Sequence, residues 1–347
     1  MTKPSHSPIG VGVIGTGTWG SLHARIYRSL PDAELIAVAD RERSKADQLA
    51  DDMGSGIEVY TEHGALLENP AVQAVSVVVP DHLHKQVILD AVDAGKHVLI
   101  EKPFTTRVDE ALECVKAMKE HGRTYMVNFH LRWMLPFYKA HELIRRGAIG
   151  EPQFASFEQS NTVDLPTKIL GWAGRSNVLW FLGIHSVDML QWLFGRSITR
   201  VFSRSDKQVL AARGVDTEDF FATTVSFAGG AQAFLENSWI LPNTSPAVAA
   251  CNCRIVGSKG SLEIDVINGG GLTYTAQDEP AADVNLFGFN TFDQSLVGSP
   301  VSSISHFLRC VRTGEAPMVT LADALSSVRI ITAALRSARS GEAVDVE

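Results

Sequence analysis

Ile9-Gly10-Val11-Gly12-Val13-Ile14 runs without a break into Gly15-Thr16-Gly17-Thr18-Trp19-Gly20. An apolar strand thus enters a Gly-x-Gly-x-x-Gly turn, and a helical segment follows. Gly15 permits the tight turn, Gly17 lets the backbone approach a pyrophosphate, and Gly20 lets helix pack closely on strand. The helix N-terminus then offers free N–H groups and a partial positive charge to phosphates. This stretch predicts a dinucleotide-binding β-α-β unit, with Thr18 and Trp19 joining the three glycines as cofactor contacts.

A second apolar run, Leu35-Ile36-Ala37-Val38-Ala39, ends in Asp40, twenty positions after Gly20. A carboxylate there accepts hydrogen bonds from an adenosine ribose diol and repels a 2′-phosphate. NAD(H) is the expected cofactor. NADP(H) stays open, because Arg41 follows directly and could pair with that phosphate.

Working outward, apolar runs at 9–14, 35–39, 74–79, 97–100 and 124–127 alternate with helical stretches such as Ser44–Met53, His84–Ala94 and Asp109–His121. Such alternation predicts an α/β fold with a doubly wound parallel sheet. Gly95-Lys96 and Gly122-Arg123 are helix stops. Beyond residue 128 the pattern changes. Helices are expected at 136–146 and 178–194, closed by Gly147 and Gly195. Segments 199–208, 217–227, 231–240, 251–257 and 260–267 read as sequential strands, with Gly229-Gly230 as a hairpin turn. They predict a C-terminal α+β domain with a largely antiparallel open sheet. Residues 277–297 show no clear period and read as a long loop, and helices near 300–313 and 320–339 close the chain. The expected domains are 1–127, binding the dinucleotide, and 128–347, binding substrate and carrying oligomer contacts. The last helix is free to pack back on the first domain.

The chain of 347 residues has room for two domains and a large core. A net charge of -8 provides no basic face, which argues against nucleic acid and anionic membranes as partners. No apolar run reaches transmembrane length. The first apolar stretch is already the nucleotide-binding strand, not a signal peptide, so a cytoplasmic location is expected. Cysteines at 114, 251, 253 and 310 lack a second ligand pair for Cys251-x-Cys253, so reduced thiols are expected over a disulfide or zinc site.

The run Val75-Ser76-Val77-Val78-Val79 ends in Pro80-Asp81-His82-Leu83-His84, and His97-Val98-Leu99-Ile100 ends in Glu101-Lys102-Pro103. Ligands of open α/β sheets sit at the carboxyl ends of the strands. Both polar clusters therefore fall where a nicotinamide would lie, making Pro80, His84, Glu101 and Lys102 cofactor-site candidates. Burial beside a cationic ring would lower the pKa of Lys102. It could then hydrogen-bond a substrate hydroxyl or accept its proton.

Gly15-x-Gly17-x-x-Gly20, Asp40, Pro80-Asp81-x-x-His84, Gly95-Lys96-His97-Val98 and Glu101-Lys102-Pro103 together resemble the Gfo/Idh/MocA oxidoreductases, the group of glucose-fructose oxidoreductase and inositol dehydrogenase. The resemblance continues through Arg132, Gly147-x-x-Gly150, Gly183-x-His185-x-x-Asp188 and Ser340-Gly341. It implies a Rossmann domain, a mostly antiparallel α/β domain, homo-oligomers (a dimer or tetramer) formed through the open sheet face, and a cis peptide before Pro103. It also implies reversible hydride transfer between the nicotinamide and a carbinol of a sugar, sugar derivative or cyclitol, with Lys102 and His185 handling the hydroxyl proton. A carbinol cannot release hydride while keeping its O–H proton, so a base must reach that oxygen. Histidine exchanges protons near neutrality.

One position departs from the family pattern. Many members carry Asp four residues before that His, and this chain carries Phe181. Asp188 lies three residues after His185, on the same helical face. Two roles stand open for it: orienting the imidazole, which would make Asp188→Ala lower turnover more than stability, or packing as a buried acid. Phe181 and Trp180 suit stacking on a sugar ring. Arg132, like Asn128 just after the last Rossmann strand, could contact cofactor or substrate, or pair with a domain-interface carboxylate. Trp172 and Trp239 are either a sugar platform or core. His23, His82 and His130 lack metal-ligand spacing, and no metal is expected. Phe287, Phe289 and Phe292 read as packing residues. Two other functions share this framework: redox-neutral, NAD-dependent glycoside cleavage, and sensing of a sugar or dinucleotide without catalysis.

Overall fold

The computed structural model describes residues 7–245, 248–266, 272–276, 282–284, 289–292 and 295–347. They fall into two compact units, one of 1–130 with 289–325, the other of 131–288 with 326–347. The sequence division at 127/128 does not single out 289–325, which clusters with the first unit.

The first unit opens with β1 (Ile9–Ile14), α1 (Thr18–Ser29), β2 (Ala33–Ala39), α2 (Arg43–Met53), β3 (Glu58–Tyr60), α3 (His63–Glu68) and β4 (Ala74–Val77). It continues with α4 (His84–Asp93), β5 (His97–Ile100), α5 (Val108–His121) and β6 (Tyr125–Val127). The strands form one sheet in the order β3-β2-β1-β4-β5-β6. Every pairing in it is parallel. All six residues of β1 are buried, the continuous apolar run expected of a strand covered on both faces. The order reverses between β1 and β4, so the carboxyl ends of β1, β2, β4 and β5 surround the switch point. Sequence reading overlooked β3, whose three residues give no period to detect.

In the second unit, α6 (Leu135–Arg145) leads into β7 (Pro152–Thr162). A π-helical turn at Leu179–Gly183 then opens α7 (Ile184–Phe194). Next come β8 (Ile198–Asp206), β9 (Phe220–Phe227), β10 (Gln232–Leu241), β11 (Ala249–Gly257), β12 (Gly260–Asp265), β13 (Leu272–Ala276) and β14 (Ala282–Val284). In the first unit again, β15 (Phe289–Phe292) pairs antiparallel with β16 (Ser295–Gly298), followed by α8 (Ser299–Thr313). Finally α9 (Leu321–Ser340) precedes β17 (Val344–Asp345).

The large sheet runs β14-β13-β12-β11-β7-β10-β9-β8-β17. Neighbours are antiparallel except β7 and β10, which run parallel. Burial alternates along β9 and β10, so one face is packed and the other faces solvent. Helices α6 and α7 lie against the packed face.

Two expectations need correction. The segment 277–297 is not one long loop, since its described residues form β14, β15 and part of β16. Their pairing supplies backbone hydrogen bonds that no side-chain period announces. Phe287 and the side chains of Phe289 and Phe292 lie outside the described residues. The central strand β7 was also missed. Its inner end, Gln159–Thr162, is polar yet buried, so alternation fails there. All four cysteines are buried free thiols. Among the described residues no helix is long and apolar enough to cross a membrane.

Candidate active site

The glycine turn is built for close approach. Gly15 has φ +97°, and a Cβ there would stand 2.3 Å from the Val78 carbonyl oxygen. A Cβ on Gly20 would fall 1.8 Å from the Gly15 carbonyl oxygen. Gly17 is different: a Cβ would meet nothing within 4 Å. Gly17 and Thr18 are exposed, and Trp19 is half-buried. Gly17 caps α1 without a side chain, so the first-turn N–H groups face outward. The open space above Gly17 is what a pyrophosphate requires.

Asp40, at the end of β2, holds the turn from the other side. Its Oδ2 accepts hydrogen bonds from the Thr16 amide and hydroxyl, both at 2.9 Å. Its Oδ1 accepts one from the Glu42 amide at 2.9 Å. A carboxylate oxygen has two acceptor positions, so Oδ1 keeps one for a ribose hydroxyl. Arg41 is exposed beside it.

At the end of β5, the Glu101 amide bonds to the Val77 carbonyl and anchors the turn to β4. The Glu101 side chain points inward and is 7% exposed. Its Oε1 accepts from His23 Nε2 at 3.0 Å and from Asn128 Nδ2 at 2.7 Å. Burial opposes its ionisation, but the His23 hydrogen bond, the largest favourable influence, together with the nearby Lys102 charge, prevails and holds its pKa at about 2. Lys102 comes next, joined to Pro103 by a cis peptide. Burial pushes its pKa down to about 8, against the opposing pull of Glu101 and Asp81.

His84 secures this turn. Its Nδ1 lies 2.7 Å from the Pro103 carbonyl oxygen and its Nε2 lies 2.9 Å from that of Val79. Both ring nitrogens thus face backbone carbonyls, one on each side of the turn, and the neutral ring donates to one of the two. Burial lowers its pKa, with Asp81 the largest opposing influence. Asp81 is 4% exposed and accepts from the His82 amide at 2.7 Å. Pro80 precedes the short helical turn Asp81–Leu83 as its N-cap. His130 follows β6, its Nδ1 3.1 Å from Ser299 Oγ and its ring 5.2 Å from that of Trp19. Burial pushes the His130 pKa down to about 4, partly offset by Glu101.

In the second unit, His185 sits in the first turn of α7 and is 5% exposed. Phe181, in the π-helical turn just before it, stands between Trp172 at 6.2 Å and Trp239 at 5.6 Å between ring centroids. Trp239 is wholly buried, while Trp172 and Phe181 are half-exposed. Trp180 is buried at 5% exposure. Asp188 receives the Arg132 guanidinium side-on: Nε donates to Oδ2 at 3.0 Å and Nη2 to Oδ1 at 2.5 Å. Both members of this pair belong to the second unit.

His23, Ser76 and Tyr27 were not singled out for the site. His23 was weighed only as a metal ligand. The signal was present, since Gly20, His23 and Tyr27 recur at helical spacing on the buried face of α1. A histidine within that stripe needs a buried polar partner.

Two family models match the chain. The NAD-binding Rossmann fold of the Gfo/Idh/MocA oxidoreductase family covers residues 9–129, and the C-terminal alpha/beta domain of the same family covers 141–346. The chain belongs to the Gfo/Idh/MocA oxidoreductase family. Its first unit is accordingly the family's NAD-binding Rossmann fold, in keeping with the open glycine turn and the spare acceptor of Asp40. Among its relatives, the scyllo-inositol 2-dehydrogenase (NAD(+)) of Bacillus subtilis is 27% identical, across 96% of this chain and 95% of that protein. The D-glucoside 3-dehydrogenase of Escherichia coli is 26% identical, across 85% and 90%. The fold is shared with the scyllo-inositol dehydrogenase of Lactobacillus casei, solved with NAD(H) and scyllo-inositol. That match has TM-score 0.82 at 20% identity, over 98% of this chain and 99% of the other.

Proposed function

We propose that this protein is an NAD(H)-dependent dehydrogenase or reductase acting on a carbinol or carbonyl of a cyclitol, sugar or sugar derivative. Lys102 carries the reading. It stands at the carboxyl end of β5 in the NAD-binding unit, with its proton affinity lowered to about 8. A lysine poised there exchanges a proton under working conditions, as a general base or acid requires. The relatives named for inositol and glucoside dehydrogenation supply the substrate class.

When bound, the nicotinamide supplies the acceptor or donor of hydride. Gly15, Gly17, Thr18, Trp19 and Gly20 receive the dinucleotide phosphates, and Asp40 receives the ribose diol, which favours NAD over NADP. Lys102 takes the hydroxyl proton during oxidation and returns it during reduction. His185 exchanges that proton with solvent. Glu101 and His84 act behind Lys102 by fixing its turn, while Trp172 and Phe181 offer ring faces to an apolar sugar surface. In place of the family's more usual Asp, Phe181 supplies no charge beside His185. That observation favours redox-neutral glycoside cleavage as the second reading.

The test is a panel of inositols, aldoses and glucosides incubated with purified protein and NAD+ or NADP+, followed by nicotinamide absorbance. The dehydrogenase reading expects net NADH with at least one carbinol and a preference for NAD+. Tightly retained NAD+, cleaved glycoside and no net NADH would replace it with the second reading.

A further inference from the structure

Beneath the Glu101–Lys102 turn lies a hydrogen-bonded chain that no ligand can touch. Tyr27, His23 and Ser76 are each 0% exposed. Tyr27 Oη is 2.7 Å from Ser76 Oγ, Ser76 Oγ is 3.0 Å from His23 Nδ1, and His23 Nε2 is 3.0 Å from Glu101 Oε1. An ionised carboxylate only accepts, so His23 must donate from Nε2. The remaining protons then have a consistent order: Tyr27 donates to Ser76, and Ser76 donates to Nδ1. The arrangement fixes the imidazole ring in both orientation and hydrogen-bonding sense. Asn128 adds a second donor to the same carboxylate oxygen.

This chain has no packing necessity. Five polar side chains from α1, β4 and the ends of β5 and β6 occupy a region where apolar residues would serve stability as well or better. What it delivers is a carboxylate, ionised though buried, adjacent in sequence to Lys102. We propose that His23 is a positioning residue for Lys102: held by Ser76 and Tyr27, it keeps the Glu101 carboxylate charged and aimed, and that charge holds the proton on the Lys102 ammonium. The inference rests on the reading of Lys102 as the group that handles the hydroxyl proton.

Other charges meet at the same place. Asp81, from the turn after β4, also favours the Lys102 ammonium. His130, from the turn after β6, faces Glu101, Lys102 and His23. His84, at the start of α4, faces Asp81 and Glu101. His23 and Asn128 both donate to Glu101 Oε1, so replacing His23 removes one of the donors that hold this carboxylate. A buried carboxyl lacking that donor takes up a proton more readily, and its hold on the ammonium weakens.

The test reads the Lys102 proton directly. Protein free of cofactor is trace-labelled with acetic anhydride across pH 6–10, and acetylation of Lys102 is quantified by mass spectrometry. Wild type is expected to label with a midpoint near 8. In Glu101→Gln the midpoint drops by about one pH unit, because an opposite charge that favours the ammonium is removed. His23→Leu moves it in the same direction. His23→Gln, whose amide can donate from the Nε2 position, keeps it near the wild-type value. A purely structural role would lower the yield of folded protein and leave the midpoints alone. An unmoved midpoint in Glu101→Gln, or equal midpoints in His23→Leu and His23→Gln, overturns the inference. Glu101→Gln is nearly isosteric and keeps the test decisive if His23→Leu does not fold. The pH dependence of kcat/KM, measured on the same variants, judges the role of Lys102 separately. Labelling midpoints that move while the rate profile does not would retain the positioning by His23 and refute Lys102 as the proton carrier.

Discussion

Replacing Asp188 with Ala removes the carboxylate that receives Arg132 through two hydrogen bonds, at 3.0 and 2.5 Å. The side chains are 3% and 2% exposed, so water cannot take its place. Solvent screening, which makes most surface pairs worth under about 1 kcal/mol, does not operate here. Removing one member of a buried pair costs about 3–5 kcal/mol, because the other charge loses its counter-ion. The Trp192 ring, 5.6 Å from the guanidinium carbon, offsets about 1 kcal/mol of that at most. For a unit of this size each kcal/mol moves Tm by about 2–4 °C, so a fall of roughly 10 °C is expected. Calorimetry and urea titration of Asp188→Ala, Arg132→Met and the double variant measure it. The double variant should recover most of the loss, since two apolar side chains leave no charge behind. Of the two roles open to Asp188 in the sequence, the ion pair favours packing, so stability falls more than turnover does. A loss below about 1 kcal/mol in Asp188→Ala, or a double variant as weak as the summed singles, would refute this reasoning.

The turn glycines separate folding from binding. Gly17→Ala should leave Tm within about 1 °C, since its Cβ meets nothing within 4 Å, yet weaken NAD+ binding at least tenfold by titration calorimetry. Gly20→Ala should instead unfold the first unit, because its Cβ would press 1.8 Å from a backbone oxygen. Oxidation needs Lys102 as the amine, so kcat/KM for the carbinol should rise with pH through about 8, and carbonyl reduction should fall through the same value. Because Lys102 binds its proton less tightly folded than at the ordinary 10.5, the unfolded chain holds more protons between about 8 and 10.5. Its contribution to stability therefore rises with pH across that window, and Lys102→Met should raise Tm below it. Asp40→Ser should raise the ratio of NADP+ to NAD+ affinity, read by the same titration.

Much of the first unit was legible because each signal repeats another. In β1 an apolar run, a glycine turn and a helix start follow in order, and Asp40 closes the next strand at the expected distance. Lys102 stood out as a charge ending an apolar strand. Elsewhere the physics is hidden from one-dimensional patterns. The inner end of β7 pairs its polar groups with residues distant in sequence, with Ser186 donating to Gln159 and Asn237 donating to the Gln159 backbone. Hydrophobic alternation cannot reveal a strand whose buried face is polar. The helix expected at 178–194 starts as a π-helical turn, which shifts the register of Phe181 relative to His185. His23 looked like an isolated histidine because its partners, Ser76 and Glu101, lie 53 and 78 residues away.

The central claim is that Lys102 moves the hydroxyl proton while NAD takes the hydride. Its most direct test is a single turnover of the carbinol that the substrate panel identifies, with wild-type and Lys102→Ala protein both saturated with NAD+. The account predicts a rise in NADH absorbance for wild type, a slower rise with substrate deuterated at the reacting carbon, and at least a thousandfold lower rate in Lys102→Ala at unchanged NAD+ affinity. A Lys102→Ala protein that forms NADH within a few fold of the wild-type rate would contradict it.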